Sequence, residues 1–156
     1  MKQTPEDLRL AERMAPGVLS REGFLGDDPR PLSEIIAEDN STLMNLGVTH
    51  EQIADRLKAI QDQATEGFGK PVKVGENLRA AFHEGMGRIP SPYADGIFPK
   101  GETELTEAPS GASVPGRTWR FTPLSIHLIR AHGFYQGRGS RYRLEPAELV
   151  DALGLA

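Results

Sequence analysis

Residues 85–116 hold six glycines and five prolines, and this segment constrains the fold more than any other part of the chain. Glycine weakens helices and strands, and proline removes a backbone donor, so long regular elements are disfavoured across it. Helical apolar periodicity ends where the segment begins, and strand-like alternation follows it. Helices before the segment and a small sheet after it predict an α+β fold rather than a doubly wound parallel sheet.

The N-terminal half is predicted to consist mainly of helices. The clearest is the third, because Thr49-x-x-Gln52 is a capping box and Gly67 is a stop signal. The first predicted helix begins at Thr4, and three further helices are predicted over 31–46, 49–66 and 76–84. A short strand is predicted at 71–74.

The third predicted helix carries one narrow apolar stripe, formed by Ile53, Leu57, Ile60 and Ala64 at spacings of four, three and four. Such a stripe is typical of a helix that packs on a core. A stripe this narrow also suits a partner helix, so a homodimer seam, and with it an assembly subunit, is an alternative.

The C-terminal part is predicted to form a small antiparallel sheet from 103–107, 117–121 and a hairpin at 134–144. A helix over 123–132 is apolar nearly all round, which predicts that it is buried against this sheet. A last short helix begins at Glu145-Pro146.

The chain of 156 residues predicts one domain over 1–156, with a weak boundary at 108–116. The absence of cysteine excludes disulfides and Cys-based metal centres. No apolar run approaches the ~20 residues of a membrane helix, and acidic residues stand where a signal peptide would be apolar. We therefore expect a cytoplasmic protein with no membrane contact, and no motif indicates a cofactor.

Residues 110–144 contain six arginines, no lysine and no acidic residue, whereas the rest of the chain is acidic. One interpretation is that these arginines pair with carboxylates elsewhere in the fold. The other is an anion-binding surface, because guanidinium groups form bidentate pairs with phosphate and carboxylate. The six are Arg117, Arg120, Arg130, Arg138, Arg141 and Arg143.

The predicted hairpin carries the first functional hypothesis, a non-catalytic regulatory protein that contacts a nucleic acid or an acidic protein. Its anion-binding residues would be Arg130, Arg138, Arg141 and Arg143, with Tyr135 and Tyr142 as stacking partners.

Residues 123–144, a helix followed by a Gly- and Arg-rich hairpin, resemble the helix-and-wing half of winged-helix DNA-binding domains. The resemblance implies that the hairpin is the wing and that its arginines contact DNA phosphates. The apolar circumference of the helix favours burial over a place in a groove.

The second functional hypothesis is a small enzyme or ligand-binding protein with an anion pocket between the 88–99 loop and the 123–132 helix. Its candidate residues are His83, Tyr93, Asp95, His127 and Arg130. A buried His127 beside a carboxylate would suit acid/base chemistry. No metal site is predicted, because no two histidines are four residues apart on a helix, and His127 and His132 differ by roughly 140° around the axis.

Overall fold

The structure is a computed structural model, and it describes residues 3–109 and 116–156. Most of the predicted boundary at 108–116 lies outside the described residues. The described helices are α1 (Pro5–Arg13), α2 (Leu32–Leu46), α3 (His50–Thr65), α4 (Pro123–His132) and α5 (Pro146–Leu153). The described strands are β1 (Val72–Gly75), β2 (Leu78–His83), β3 (Arg88–Pro90), β4 (Ile97–Pro99), β5 (Glu102–Glu107) and β6 (Thr118–Phe121).

The architecture confirms the α+β prediction. Four strands form an antiparallel sheet in the order β1-β2-β5-β6, and β3 and β4 form a separate two-stranded hairpin between β2 and β5 in the chain. Thr4 and Thr49 cap α1 and α3 through the expected side-chain bonds. None of the helices in the described part of the chain is long and apolar enough to cross a membrane.

The helix predicted over 76–84 is wrong, because Leu78–His83 form strand β2. Every residue of β2 pairs with β5, and its N-terminal half also pairs with β1. Arg79 is exposed between the buried Leu78 and Ala80, which is the two-residue period of a strand. The apolar residues of this segment are also compatible with helical spacing, but hydrogen bonding to β1 on one side and β5 on the other stabilises the strand.

The hairpin predicted at 134–144 is also absent, because these residues form a loop that packs on the segment 23–28. The Gly137 amide donates to the Phe24 carbonyl at 2.9 Å instead of pairing across a hairpin. The two backbones lie so close that a Cβ on Gly137 would be 2.2 Å from the Leu25 carbonyl oxygen. The structure therefore has no wing after the 123–132 helix, and the winged-helix resemblance does not extend to the fold.

Helix α4 lies between two apolar clusters, which explains why it is apolar around most of its circumference. Ile126 and Ile129 belong to a cluster with α3, α5 and the four-stranded sheet. Leu124 and Leu128 belong to a second cluster with α1 and the start of α2. The prediction of a buried helix over 123–132 is confirmed.

The apolar stripe of α3 lies inside the first cluster. Ile53, Leu57, Ile60 and Ala64 are each at most 1% exposed within a single chain. These side chains are therefore already covered by the core of a single chain, which favours the first interpretation of the stripe, and the homodimer seam stays a prediction.

Leu57→Glu is expected to unfold the protein rather than to separate a dimer. A carboxylate at this fully buried position has no partner in the cluster, and we expect a loss above about 4 kcal/mol in the free energy of unfolding. Urea unfolding with sedimentation velocity measures both effects, and Gln63→Glu on the exposed face of α3 is the control. A folded, smaller species with an unchanged urea midpoint would contradict the assignment of the stripe to the core.

Candidate functional site

Three potential metal ligands meet between the β3–β4 loop and helix α4. They are the carboxylate of Asp95 and the imidazoles of His127 and His132, and their ligand atoms all lie within 4.8 Å of one another. Asp95 is exposed and the two histidines are half-buried, so the cluster is open to small molecules from solvent.

The turn that carries Asp95 is held in place by hydrogen bonds to its backbone carbonyl groups. The Ser91 amide donates to the Gly96 carbonyl at 2.9 Å, and Arg13 Nε on α1 donates to the Pro92 carbonyl at 2.6 Å. Ala94, directly before Asp95, has a φ of 58°, a left-handed conformation that costs a non-glycine residue of order 1–2 kcal/mol. The surrounding contacts therefore fix an unfavourable backbone conformation beside the carboxylate.

Both histidines direct Nε2 toward the same carboxylate oxygen. His132 Nε2 forms a 2.7 Å hydrogen bond with Asp95 Oδ2. His127 Nε2 lies 2.9 Å from the same oxygen, but the angle does not make a hydrogen bond, and no other described residue supplies one. Among the described residues, His127 Nε2 thus makes a close charge contact with Asp95 but no well-aligned hydrogen bond.

Aromatic rings of the β3–β4 hairpin orient the two imidazoles. Tyr93 stacks on His132 with 3.6 Å between ring centroids and 6° between planes, and Phe98 stacks on His127 at 4.7 Å and 30°. Burial, together with the carboxylates of Asp7 and Asp95, raises the pKa of Tyr93 to about 12, so its hydroxyl stays protonated.

Asp95 is held in its ionised form. Burial alone would raise the pKa of Asp95, but the Ser91 hydroxyl and the imidazoles of His132 and His127 outweigh burial and hold that pKa well below its ordinary value. The site therefore presents one negative charge to the two ring nitrogens.

Two imidazoles and one carboxylate are ligands that zinc and other late first-row metals accept. Zinc–ligand bonds of about 2.0–2.2 Å place neighbouring tetrahedral ligand atoms roughly 3.3–3.6 Å apart. The two nitrogen–oxygen distances of 2.9 and 2.7 Å are therefore about 0.4–0.9 Å too short, so a metal ion requires the cluster to open by less than about 1 Å.

The structure brings together some residues of the predicted pocket and separates others. Tyr93, Asp95 and His127 meet between the 88–99 loop and α4, where the sequence places them. His83 lies at the exposed end of β2, and Arg130 pairs with Asp55 at 2.6 Å. Because the ionised carboxylate of Asp95 stands at its centre, this site suits a cation better than the anion expected here, and the anion pocket stays a prediction.

His132 is the residue that sequence reasoning misses. A five-residue spacing excludes a shared helical face, but a loop far away in sequence supplies Asp95, whose carboxylate lies close to both imidazoles. His132 is the last residue of α4, before the left-handed Gly133. The separation around the helix axis therefore does not decide whether the two imidazoles meet at one site.

All six arginines of the basic block lie near carboxylates of the chain itself. Arg120 contacts Glu104 at 3.1 Å, and Arg138, the most exposed, is 3.6 Å from Glu145. The other pairs are Arg117 with Glu107 and Asp151, Arg130 with Asp55, Arg141 with Glu102, and Arg143 with Asp39 and Glu145.

Arg143 and Tyr135 are internal and do not form part of an outer surface. Arg143 and Asp39 are each 6% exposed and form two hydrogen bonds, at 2.5 and 3.0 Å. Tyr135 is buried, and its hydroxyl lies 2.9 Å from His50 Nδ1. Their assignment to a surface that contacts a partner is therefore wrong, whereas Arg138, Arg141 and Tyr142 remain accessible.

Comparison with protein-family models, curated proteins and solved structures finds no match to this chain. The function is therefore inferred from the geometry of the site.

Arg143→Met is expected to destabilise the protein by about 3–5 kcal/mol, because it leaves the buried Asp39 carboxylate without its partner. Arg141→Met is the matched control, since an exposed ion pair contributes at most about 1 kcal/mol. Urea unfolding of the two variants gives the comparison. Equal midpoints for both variants would show that Arg143 is not the internal partner of Asp39.

The stabilising effect of Asp95 is expected to depend on pH. Its pKa is lower in the folded chain than in the unfolded chain, so the unfolded chain takes up the proton first as the pH falls. The difference in unfolding free energy between the wild type and Asp95→Asn should be largest near neutral pH and shrink below about pH 4. Urea titrations from pH 7 to 3 measure it, and a pH-independent difference would contradict the ionised state of Asp95.

Proposed function

We propose that the protein binds one divalent transition-metal ion through His127 Nε2, His132 Nε2 and a carboxylate oxygen of Asp95. Three protein ligands leave at least one coordination position for water or a small molecule, as in catalytic rather than structural zinc sites. The protein would then be a small metal-dependent enzyme or ligand-binding protein. This is the second hypothesis from the sequence, except that the bound ligand is a cation and not an anion.

The observation that carries this proposal is that His127 Nε2 and His132 Nε2 approach the same carboxylate oxygen of Asp95, at 2.9 and 2.7 Å. His127 Nε2 forms no well-aligned hydrogen bond with the described residues, so a metal–nitrogen bond would replace only a charge contact. His132 Nε2 and the ionised Asp95 carboxylate supply two further ligand atoms within 4.8 Å. The stacked rings of Tyr93 and Phe98 limit how far the imidazoles rotate.

The ligand set favours zinc, iron, nickel or copper over calcium and magnesium, because imidazole nitrogen is a poor ligand for the hard cations. A metal ion held this way polarises a bound oxygen atom and lowers the pKa of a bound water. The partial exposure of all three ligands supports access by a substrate.

The same residues support a second candidate function, acid/base catalysis without a metal ion. The 2.7 Å hydrogen bond between His132 and Asp95 has the geometry that orients an imidazole for proton transfer. This candidate requires that metal ions do not compete for the cluster.

Contact with an anionic partner through Arg138 and Arg141 stays a prediction. The ion pairs that these arginines form with Glu145 and Glu102 reduce the positive charge on which that hypothesis depends. A salt-sensitive gel shift with mixed nucleic acid remains its direct test.

The metal proposal is tested by calorimetric titration of EDTA-treated protein with Zn²⁺. We expect one equivalent with a Kd below about 1 μM, and a loss of at least about 100-fold in His127→Gln, His132→Gln and Asp95→Asn. Visible absorption of the Co²⁺-substituted protein reports the coordination geometry without any assay of activity.

The control is His83→Gln, which removes an exposed histidine outside the cluster and should leave both stoichiometry and Kd unchanged. Circular dichroism confirms that each variant is folded. If the wild type binds no Zn²⁺, or if His83→Gln weakens binding as much as His127→Gln, the proposal fails and the metal-free dyad is favoured.

A further inference from the structure

A pocket lies beside the first turn of α4, whereas His132 is at the C-terminal end of this helix, and no part of the metal proposal uses the pocket. Its volume is about 310 Å³. Phe24, Leu124 and Ile89 supply the apolar part of its wall, and Thr122 lies at the start of α4. A pocket of this size, with an apolar wall and a few polar groups, is typical of a site for a small organic molecule.

The charged groups at this pocket are mostly positive. Arg21, Lys100 and Arg141 line it, with Glu22 as the acidic lining residue. Arg141 contacts Glu102 through Nε and Nη2, which leaves Nη1 without a carboxylate among the described residues. The lining thus favours an anionic group over a cationic one.

Gln136 supplies a hydrogen-bond donor to this pocket. The residue lines the pocket, and only 3% of its surface is exposed. Its side-chain oxygen accepts a hydrogen bond from the Ser140 hydroxyl at 2.6 Å, which orients the side-chain amide. The amide nitrogen forms no hydrogen bond with the described residues and is not a buried atom, so it is open to the pocket. A carboxylate or phosphate oxygen of a ligand can accept from it in place of water.

The backbone of Gln136 is strained, with a φ of 68°. The contacts on both sides of this residue hold it there: the Gly137 amide donates to the Phe24 carbonyl, and the Gln136 carbonyl accepts from Arg143 Nη1 at 2.9 Å. The conformation is therefore maintained by the surrounding structure, as at many binding sites.

We propose that this pocket binds a small organic anion whose carboxylate or phosphate group accepts from Gln136 and Arg141 and whose apolar body contacts Phe24 and Leu124. Arg21 and Lys100 lie at the exposed part of the wall and add attraction for the anionic group. The proposal is independent of the metal site, because none of the three proposed metal ligands lines this pocket.

The test is an NMR titration of EDTA-treated, ¹⁵N-labelled protein, with the side-chain amide signals of Gln136 as the readout. The probes are phenyl phosphate, benzoate and benzamide, the last being a neutral match for benzoate. We expect a Kd in the millimolar range for at least one anion, as is ordinary for a ligand of this size, and binding of benzamide at least about 10-fold weaker. The anion with the lower Kd, phenyl phosphate or benzoate, shows whether the pocket prefers a phosphate or a carboxylate group.

The matched variants are Arg21→Glu/Lys100→Glu, which reverses two charges at the pocket, and Arg9→Glu/Lys70→Glu, which reverses two exposed charges that do not line it. The first should weaken anion binding at least about 10-fold, and the second should leave the Kd nearly unchanged. Equal Kd values for both variants, equal binding of benzoate and benzamide, or no shift of Gln136 up to about 20 mM would each overturn the proposal. Because the protein is metal-free, failure of Zn²⁺ binding would leave this result intact.

Discussion

Helix α4 packs between two apolar clusters, and this packing fixes the position of every polar residue that the helix carries. Ile126 and Ile129 contact one cluster, and Leu124 and Leu128 contact the other, so the helix has no freedom to rotate. The polar edge that remains must face the β3–β4 hairpin. The candidate metal site is therefore a consequence of the core, because the apolar residues of α4 decide where its histidines lie.

Ion pairs between distant parts of the chain bring the arginines of the basic block next to acidic residues from the rest of the sequence. The six arginines of the basic block pair with acidic residues that include members of α2, α3, β5 and α5, and Arg138 and Arg141 stay partly exposed. The Arg143–Asp39 pair joins residues 104 positions apart and is buried, so it connects the C-terminal loop to α2. The exposed pairs contribute less, because solvent screens them.

The parts of the fold that were predictable from sequence depend on local signals. The capping boxes at Thr4 and Thr49 and the Pro–Gly boundaries of α4 mark helices through contacts between residues a few positions apart. The predictions for strand β2 and for the 134–144 loop are wrong because residues distant in sequence determine both conformations. Strand β2 pairs with β5, and the 134–144 loop packs on the segment around Phe24. Tyr93, Asp95 and His127 could be grouped from the sequence, whereas His132 joins them only through the folded position of the 88–99 loop.

X-ray absorption at the zinc K edge, on protein loaded with one equivalent of Zn²⁺, tests the proposed metal centre by identifying its ligand atoms. We expect a four- or five-coordinate centre with two imidazole nitrogens at about 2.0–2.1 Å and carboxylate and water oxygens at about 2.0–2.2 Å. The spectrum of His127→Gln should lose one imidazole contribution. A spectrum of fully hydrated zinc, or one that His127→Gln leaves unchanged, would contradict the assignment of this cluster as a metal centre.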